Sequence, residues 1–189
     1  MLRLFTGIEI PSGIAQHLAM IREDLPGARW IDPGDFHITL RFAGDIDYRT
    51  ADELAETLAQ IRAPAMTLQL QGIGLFGGNQ PRALWADLKH LPALFDLQRR
   101  HERAARQSGL LPDSRKYTPH VTIARLRGTR PGAVARFLEA HGAFTTQPFP
   151  VKRFVLFSSR PGHGGGPYVV EESYPLGGEA YEDSSAARD

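Results

Sequence analysis

Cysteine is absent from this 189-residue chain. That absence removes disulfides, thiolate nucleophiles and cysteine-based zinc or iron–sulfur sites together, and it suits a reducing compartment. Excess charge is also lacking: 22 basic against 21 acidic side chains leave a formal charge of +1. No bulk field draws such a protein to nucleic acid, so any polyanion has to be met by cations placed locally. Arg22, Arg29, Arg41, Arg115, Lys116, Arg125, Arg127 and Arg130 are the candidates. No run of about 18 apolar residues occurs, and the opening Met1-Leu2-Arg3-Leu4-Phe5-Thr6 holds no sustained apolar segment. The expectation is a soluble cytoplasmic protein with no membrane partner. Missing as well are a Gly-x-x-x-x-Gly-Lys-Ser/Thr loop for ATP and a His-Glu-x-x-His metal pair. The run His163-Gly164-Gly165-Gly166 has no Gly-x-Ser-x-Gly elbow to make it an oxyanion hole, and reads as a flexible loop beside a cleft. His17, His90, His101 and His141 fall on expected helices or their ends and are read as surface residues. Trp30 and Trp85 are read as core or lobe-packing aromatics.

What the chain does contain is a short pattern used twice. Phe36-His37-Ile38-Thr39-Leu40 and Pro119-His120-Val121-Thr122-Ile123 both read His-aliphatic-Thr-aliphatic among β-branched and aromatic neighbours. Such a segment favours an extended strand, on which residues i and i+2 share a face. Imidazole and hydroxyl then project one way while the aliphatics enter a core.

The surrounding order repeats too. Residues 2–10 read as a strand, residues 12–25 as a helix capped by Ser12 and stopped at Pro26-Gly27, and the first His-x-Thr strand ends near Gly44. A helix over residues 48–62 and a strand over residues 66–70 that dissolves by Gly74 complete the first half. The second half offers a strand at residues 83–88, a helix at 92–108 with Gly109 ending it, and the second His-x-Thr strand to Arg125. A helix from Pro131 to His141 and strands at residues 151–158 and 168–176, joined by a Gly-rich loop over residues 160–167, close it. The expected unit is one domain over residues 1–176, with lobes of roughly 1–80 and 81–176 divided near residues 77–81, and a frayed tail at 177–189.

Histidine titrates near neutrality, at about 6.5, so a pair can hold one neutral base and one protonated acid together. Phosphodiester hydrolysis asks for that combination, with a water deprotonated on one side of phosphorus and the departing oxygen protonated on the other. Each proton transfer is typically worth about 10² to 10⁴ in rate. Threonine hydroxyls then donate to the non-bridging oxygens, and Arg125 adds fixed positive charge. One His-x-Thr alone is more often a satisfied core or surface histidine. Two copies at equivalent points of a repeated topology reverse those odds.

These features together resemble the 2H phosphoesterase superfamily, and most closely its RNA 2′,3′-cyclic phosphodiesterase branch, historically called 2′-5′ RNA ligase. The residues carrying the resemblance are Leu4 to Pro11, His37-Ile38-Thr39-Leu40-Arg41-Phe42-Ala43-Gly44, Pro119-His120-Val121-Thr122-Ile123-Ala124-Arg125, and Gly166-Pro167-Tyr168 with Tyr174-Pro175-Leu176. It implies an α+β, bilobal, pseudo-symmetric LigT-like fold, with two mainly antiparallel sheets around a central cleft and helices outside. It implies opening of a terminal 2′,3′-cyclic phosphate to a 2′-phosphate without metal or other cofactor, and in some members reversible, ATP-independent 2′-5′ joining. The expected partner is an RNA 3′ terminus with a cyclic phosphate, tRNA fragments among the candidates, met by a monomer.

By position, His37 is the general acid and His120 the base, and Thr39, Thr122 and Arg125 hold phosphate oxygens. Phe42 stacks on the terminal base. Strand parity sets Phe42 opposite to His37, Thr39 and Arg41, and Arg125 opposite to His120, so both need a bulge or a strand end. Arg41 has the right parity, and is as readily a solvated arginine. Two alternatives stay open: a phosphodiesterase of the same fold acting on a small cyclic phosphate or a 2′-5′ oligoadenylate, and an RNA-end-binding module without catalysis.

Overall fold

A computed structural model describes residues 1–159 and 166–177. The chain runs β1 (Leu2–Glu9), α1 (Ser12–Ala19), β2 (Ala28–Trp30), a 3₁₀ turn (Pro33–Asp35), β3 (His37–Ile46), α2 (Tyr48–Ala59), β4 (Met66–Leu68), β5 (Leu70–Phe76) and β6 (Ala83–Leu88). It continues through α3 (Pro92–Gln107), β7 (His120–Leu126), α4 (Pro131–His141), β8 (Phe149–Val151), β9 (Arg153–Ser159) and β10 (Val169–Pro175). The His163 loop and the tail expected from the sequence lie, at residues 160–165 and 178–189, outside the described residues.

Several boundaries differ from those the sequence suggests, each for a physical reason. Ser12 does not cap α1: Pro11 holds the cap position with no side-chain bond. The helix ends at Ala19 because Met20, Ile21 and Arg22 bond three residues back, at 3.2 to 3.4 Å, and tighten the chain. Ile21 and Leu25 stay buried all the same. The strand expected over residues 66–70 divides between two sheets, β4 pairing with β8 and β5 with β6. Gly74 does not end β5. A Cβ there would lie 2.3 Å from the Trp85 indole, so the glycine lets the ring lie across the strand. Only long-range pairing to β7 creates β2, from Ala28↔Leu126 to Trp30↔Ala124.

The large sheet has the order β10-β9-β1-β3-β7-β6-β5, with β2 on β7, and β4-β8 forms a separate pair. The six strands from β9 to β5 read the same from both ends once the chain is taken as two repeats. The first strands (β1, β6), the motif strands (β3, β7) and the closing strands (β9, β5) occupy matching places. The closing strands are exchanged, since β5 follows the first repeat yet pairs with β6, and β9 follows the second yet pairs with β1. A division near residues 77–81 therefore does not separate the two groups of strands. The halves meet where β3 and β7 pair at one position, Ile38↔Val121.

Helices cover the back of the sheet and share one core with it, in which Ile38, Leu58, Leu97, Val121, Phe137 and Phe154 are fully buried. His101 of α3 is buried with them at 0% exposure, its ring edge-on to Phe154 at 4.4 Å, and is not the surface residue expected.

Candidate active site

The pairing of Ile38 with Val121 fixes how the two motifs meet. Extending that antiparallel register one residue each way sets His37 across from Thr122 and His120 across from Thr39. The histidines are thus diagonal neighbours on one face, a relation that separates Cα atoms by about 7–8 Å. On the other face Ile38, Leu40, Val121 and Ile123 are buried, which anchors both strands in the core.

Each motif strand carries a β-bulge just after its threonine. Along β1 the partner of Gly7 is Thr39 while that of Thr6 is Arg41, so Leu40 is the extra residue. Along β6 the partner of Trp85 is Thr122 while that of Leu84 is Ala124, so Ile123 is extra. The burial pattern of both segments is the same, with two consecutive buried residues where alternation should have continued. An inserted residue reverses parity beyond it. Phe42 and Arg125 are thereby carried to the face that bears His37, Thr39, His120 and Thr122.

The same bulge turns Arg41 from that face toward α3. There its Nε donates to Glu102 Oε2 at 2.5 Å, Nη2 to the Leu111 carbonyl at 2.5 Å and Nη1 to the Phe42 carbonyl. Arg41 is neither a site cation nor a solvated side chain.

Both imidazoles are held alike. His37 Nδ1 lies 2.8 Å from the Asp35 carbonyl and His120 Nδ1 lies 2.7 Å from the Thr118 carbonyl. A carbonyl only accepts, so each Nδ1 carries the proton of the neutral ring and each Nε2 keeps its lone pair. Rings wall them in: Phe5 and Tyr168 stand 4.9 Å from His37, Phe76 stands 5.0 Å and Trp85 5.9 Å from His120. Trp85, a packing aromatic as expected, thus backs His120 together with Phe76. Burial among these rings lowers the pKa of His37 below its usual 6.5, outweighing the Asp35 carbonyl and carboxylate that raise it, with His120 and Arg125 lowering it further. His120 is lowered by burial too, against the pull of the Thr118 carbonyl and of Asp87.

His37, Thr39, Phe42, His120, Thr122 and Arg125 all line a single hollow of about 330 Å³. Arg3, Asp35 and Tyr168, none of them among the expected site residues, line it too. Arg3 shares a face of β1 with Phe5, lies 5.2 Å over the Phe42 ring and pairs with Asp45 at 3.1 Å. Asp35 Oδ1 accepts the Tyr168 N–H at 3.1 Å, tying the start of the last strand to the wall of the hollow. Alternation in residues 2–10 was the one available hint of Arg3, and nothing local marks Asp35. Among the described residues no three His, Asp or Glu side chains gather as a metal cage.

The family model for the LigT-like phosphoesterases matches residues 8–85 and 89–168, one His-x-Thr in each span. The chain belongs to that family. As a LigT-like phosphoesterase it is similar to an RNA 2′,3′-cyclic phosphodiesterase of Aquifex aeolicus, 27% identical over 93% of this chain and 98% of that protein. It is also similar to an RNA 2′,3′-cyclic phosphodiesterase of Geobacillus stearothermophilus, 34% identical over 64% of this chain but spanning only 41% of the other. Among solved structures, apo LigT of E. coli superposes with a TM-score of 0.76 at 23% identity, over 94% of this chain and 98% of that one. The 2H phosphoesterase resemblance and the α+β LigT-like fold expected from the two motifs are borne out. Among the described residues no helix is long and apolar enough to cross a membrane.

Proposed function

We propose that this LigT-like phosphoesterase hydrolyses the 2′,3′-cyclic phosphate at an RNA 3′ end to a 2′-phosphate. The observation that carries the reading is the pair of imidazoles on one face, each with Nδ1 bound to a main-chain carbonyl and Nε2 left with its lone pair. One such nitrogen accepts a proton from water and the other, protonated, delivers one to the departing 3′ oxygen. We assign His120 as the base and His37 as the acid. The P–O3′ bond breaks as the P–O(water) bond forms, and the net proton moves from water to the 3′ oxygen. In this reading Thr39, Thr122 and Arg125 bind the non-bridging oxygens and stabilise their growing charge. Phe42, 37% exposed, offers a ring face to the terminal base.

Both proton transfers are supplied by side chains, so no divalent cation enters the scheme. With a 5′-hydroxyl in place of water the same groups in the same roles serve ATP-independent 2′-5′ joining, and by microscopic reversibility they exchange roles when the 3′-hydroxyl reopens that link. The test is to incubate the protein in EDTA with an oligonucleotide ending in a 2′,3′-cyclic phosphate and identify the product. The expected product is the 2′-phosphate, with turnover reduced by about 10² to 10⁴ in His37→Ala and in His120→Ala while circular dichroism is unchanged. A 3′-phosphate product, or a strict demand for divalent cation, overturns the reading.

A further inference from the structure

Next to the cleft lies a second and larger hollow of about 640 Å³, which shares Thr39, Phe42, Phe76 and His120 with the first. Its far wall carries Arg82, Arg115 and Lys116. Arg115 is committed to Asp113, with Nε and Nη2 donating to the two carboxylate oxygens at 3.0 and 2.8 Å. Arg82 and Lys116 are exposed, and among the described residues neither makes an ion pair. In a protein whose charges nearly cancel, two uncompensated cations facing one hollow form a local positive field.

That wall is also fastened in place. Arg41, only 9% exposed, reaches from β3 to Glu102 and to the Leu111 carbonyl. The other oxygen of Glu102 accepts the Asp113 N–H at 3.2 Å, and Tyr117 Oη donates to the Thr39 carbonyl at 3.1 Å. Residues 111–117 are thus pinned to α3 and to the first motif strand. A buried arginine is costly to keep unless its hydrogen bonds are filled, and here two of them tie the loop to β3, directly at the Leu111 carbonyl and through Glu102, which also holds the Asp113 N–H.

We infer that this second hollow receives the RNA strand on the 5′ side of the cyclic phosphate, with Arg82 and Lys116 meeting its backbone phosphates. The inference rests on the activity proposed above. A terminal nucleotide whose 2′ and 3′ oxygens are both tied up in the ring has one remaining link to the chain, its 5′ oxygen. With the ring between the imidazoles, the adjoining hollow faces the next nucleotide. Phe42 borders both hollows and presents its ring where the two bases divide. Contacts of this kind favour oligonucleotide over mononucleotide without reading sequence.

The experiment compares kcat/KM for adenosine 2′,3′-cyclic phosphate and for a hexanucleotide ending in the same group, in the intact protein and in Arg82→Ala/Lys116→Ala. The hexanucleotide is expected to be the better substrate. The double variant should lose about tenfold on the hexanucleotide and nothing on the mononucleotide. The log–log salt slope for the hexanucleotide should fall by about 1.4, the value for two single-strand phosphate contacts. Equal kcat/KM for the two substrates, or equal losses on both, overturns the inference. If the intact protein turns over neither substrate, the proposed activity fails instead. The hollow is then judged by binding of a labelled hexanucleotide with a 2′-phosphate end: weaker, less salt-sensitive binding by the double variant upholds it, and unchanged binding overturns it.

Discussion

At His37 and at His120 the Nδ1–H is committed to the carbonyl two residues upstream, so Nε2 is the atom left for chemistry in both. Burial lowers both pKa values from 6.5. Activity in kcat/KM rises as the base loses its proton and falls as the acid loses its own, so both limbs lie below the reference value. The kcat/KM profile should be a bell with its maximum on the acid side of pH 6.5, measured on the hexanucleotide at constant ionic strength; a maximum above pH 7 contradicts the burial argument. A bound phosphodiester anion favours the imidazolium, so the kcat profile should lie at higher pH than that of kcat/KM. Arg125 lowers His37, so Arg125→Gln should move the alkaline limb upward as well as reduce kcat/KM by about 10². A loss of rate with unmoved limbs would leave Arg125 its phosphate contact and remove its influence on His37. At this scale the site was largely legible, because the two motifs name four of the residues outright. Arg3 and Asp35 were not, since they reach the hollow from neighbouring segments and carry no local signature.

Elements obey rules that single residues do not reveal. Strict alternation predicted that Arg41 would accompany His37 and that Phe42 and Arg125 would face away. A bulge after each threonine reversed all three. Its trace in the sequence is faint: Ile123-Ala124 is an apolar doublet, but Leu40-Arg41 disguises the equivalent pair with a charge that α3 neutralises through Glu102. Leu94, Leu97 and Ala104 fall inward on α3 at helical spacing, and His101 is buried with them, although its polar imidazole gives it the look of a surface residue. Both ring nitrogens of His101 are buried without a partner, and burial pushes its pKa down to about 3. An unfolded chain protonates the same ring near 6.5. Stability tied to His101 is therefore full above about pH 6.5 and is lost as pH falls toward 3, by up to about 1.4 kcal/mol per unit. His101→Phe should raise stability at pH 7 by about 1–2 kcal/mol. It should also flatten the loss between pH 6 and 4, as read from urea midpoints. A variant less stable than the parent at both pH values would mean the ring has partners after all.

For the molecule as a whole, the sequence disclosed the repeat but not its wiring. Equivalent order of strands and helices was readable from periodicity, whereas exchange of the closing strands joins a local hairpin, Phe76↔Ala83, to a pairing more than a hundred positions long, Phe5↔Phe157, that no local signal marks. Exchange makes each half dependent on the other, since β1 lacks a neighbour without β9 and β6 lacks one without β5. Cleaving the chain between Gly78 and Asn79 should give fragments that show no cooperative thermal transition alone. Mixed in equal amounts, they should regain the β-sheet circular dichroism of the intact protein. Cooperative unfolding of residues 1–78 by themselves would contradict the interdependence.

The sheet whose strand order reads alike from either end implies a history. A polypeptide half this long, meeting a twin about the axis through Ile38 and Val121, would have possessed both imidazoles and both hydroxyls from the outset. Fusion of such halves would add no further imidazole or hydroxyl. It would allow divergence, because a symmetric pair must carry the same residue twice while a joined one need not. Positions 42 and 125, equivalent after their bulges, now hold a phenyl ring and a guanidinium, and a lopsided ligand such as a nucleotide finds a different greeting on each side.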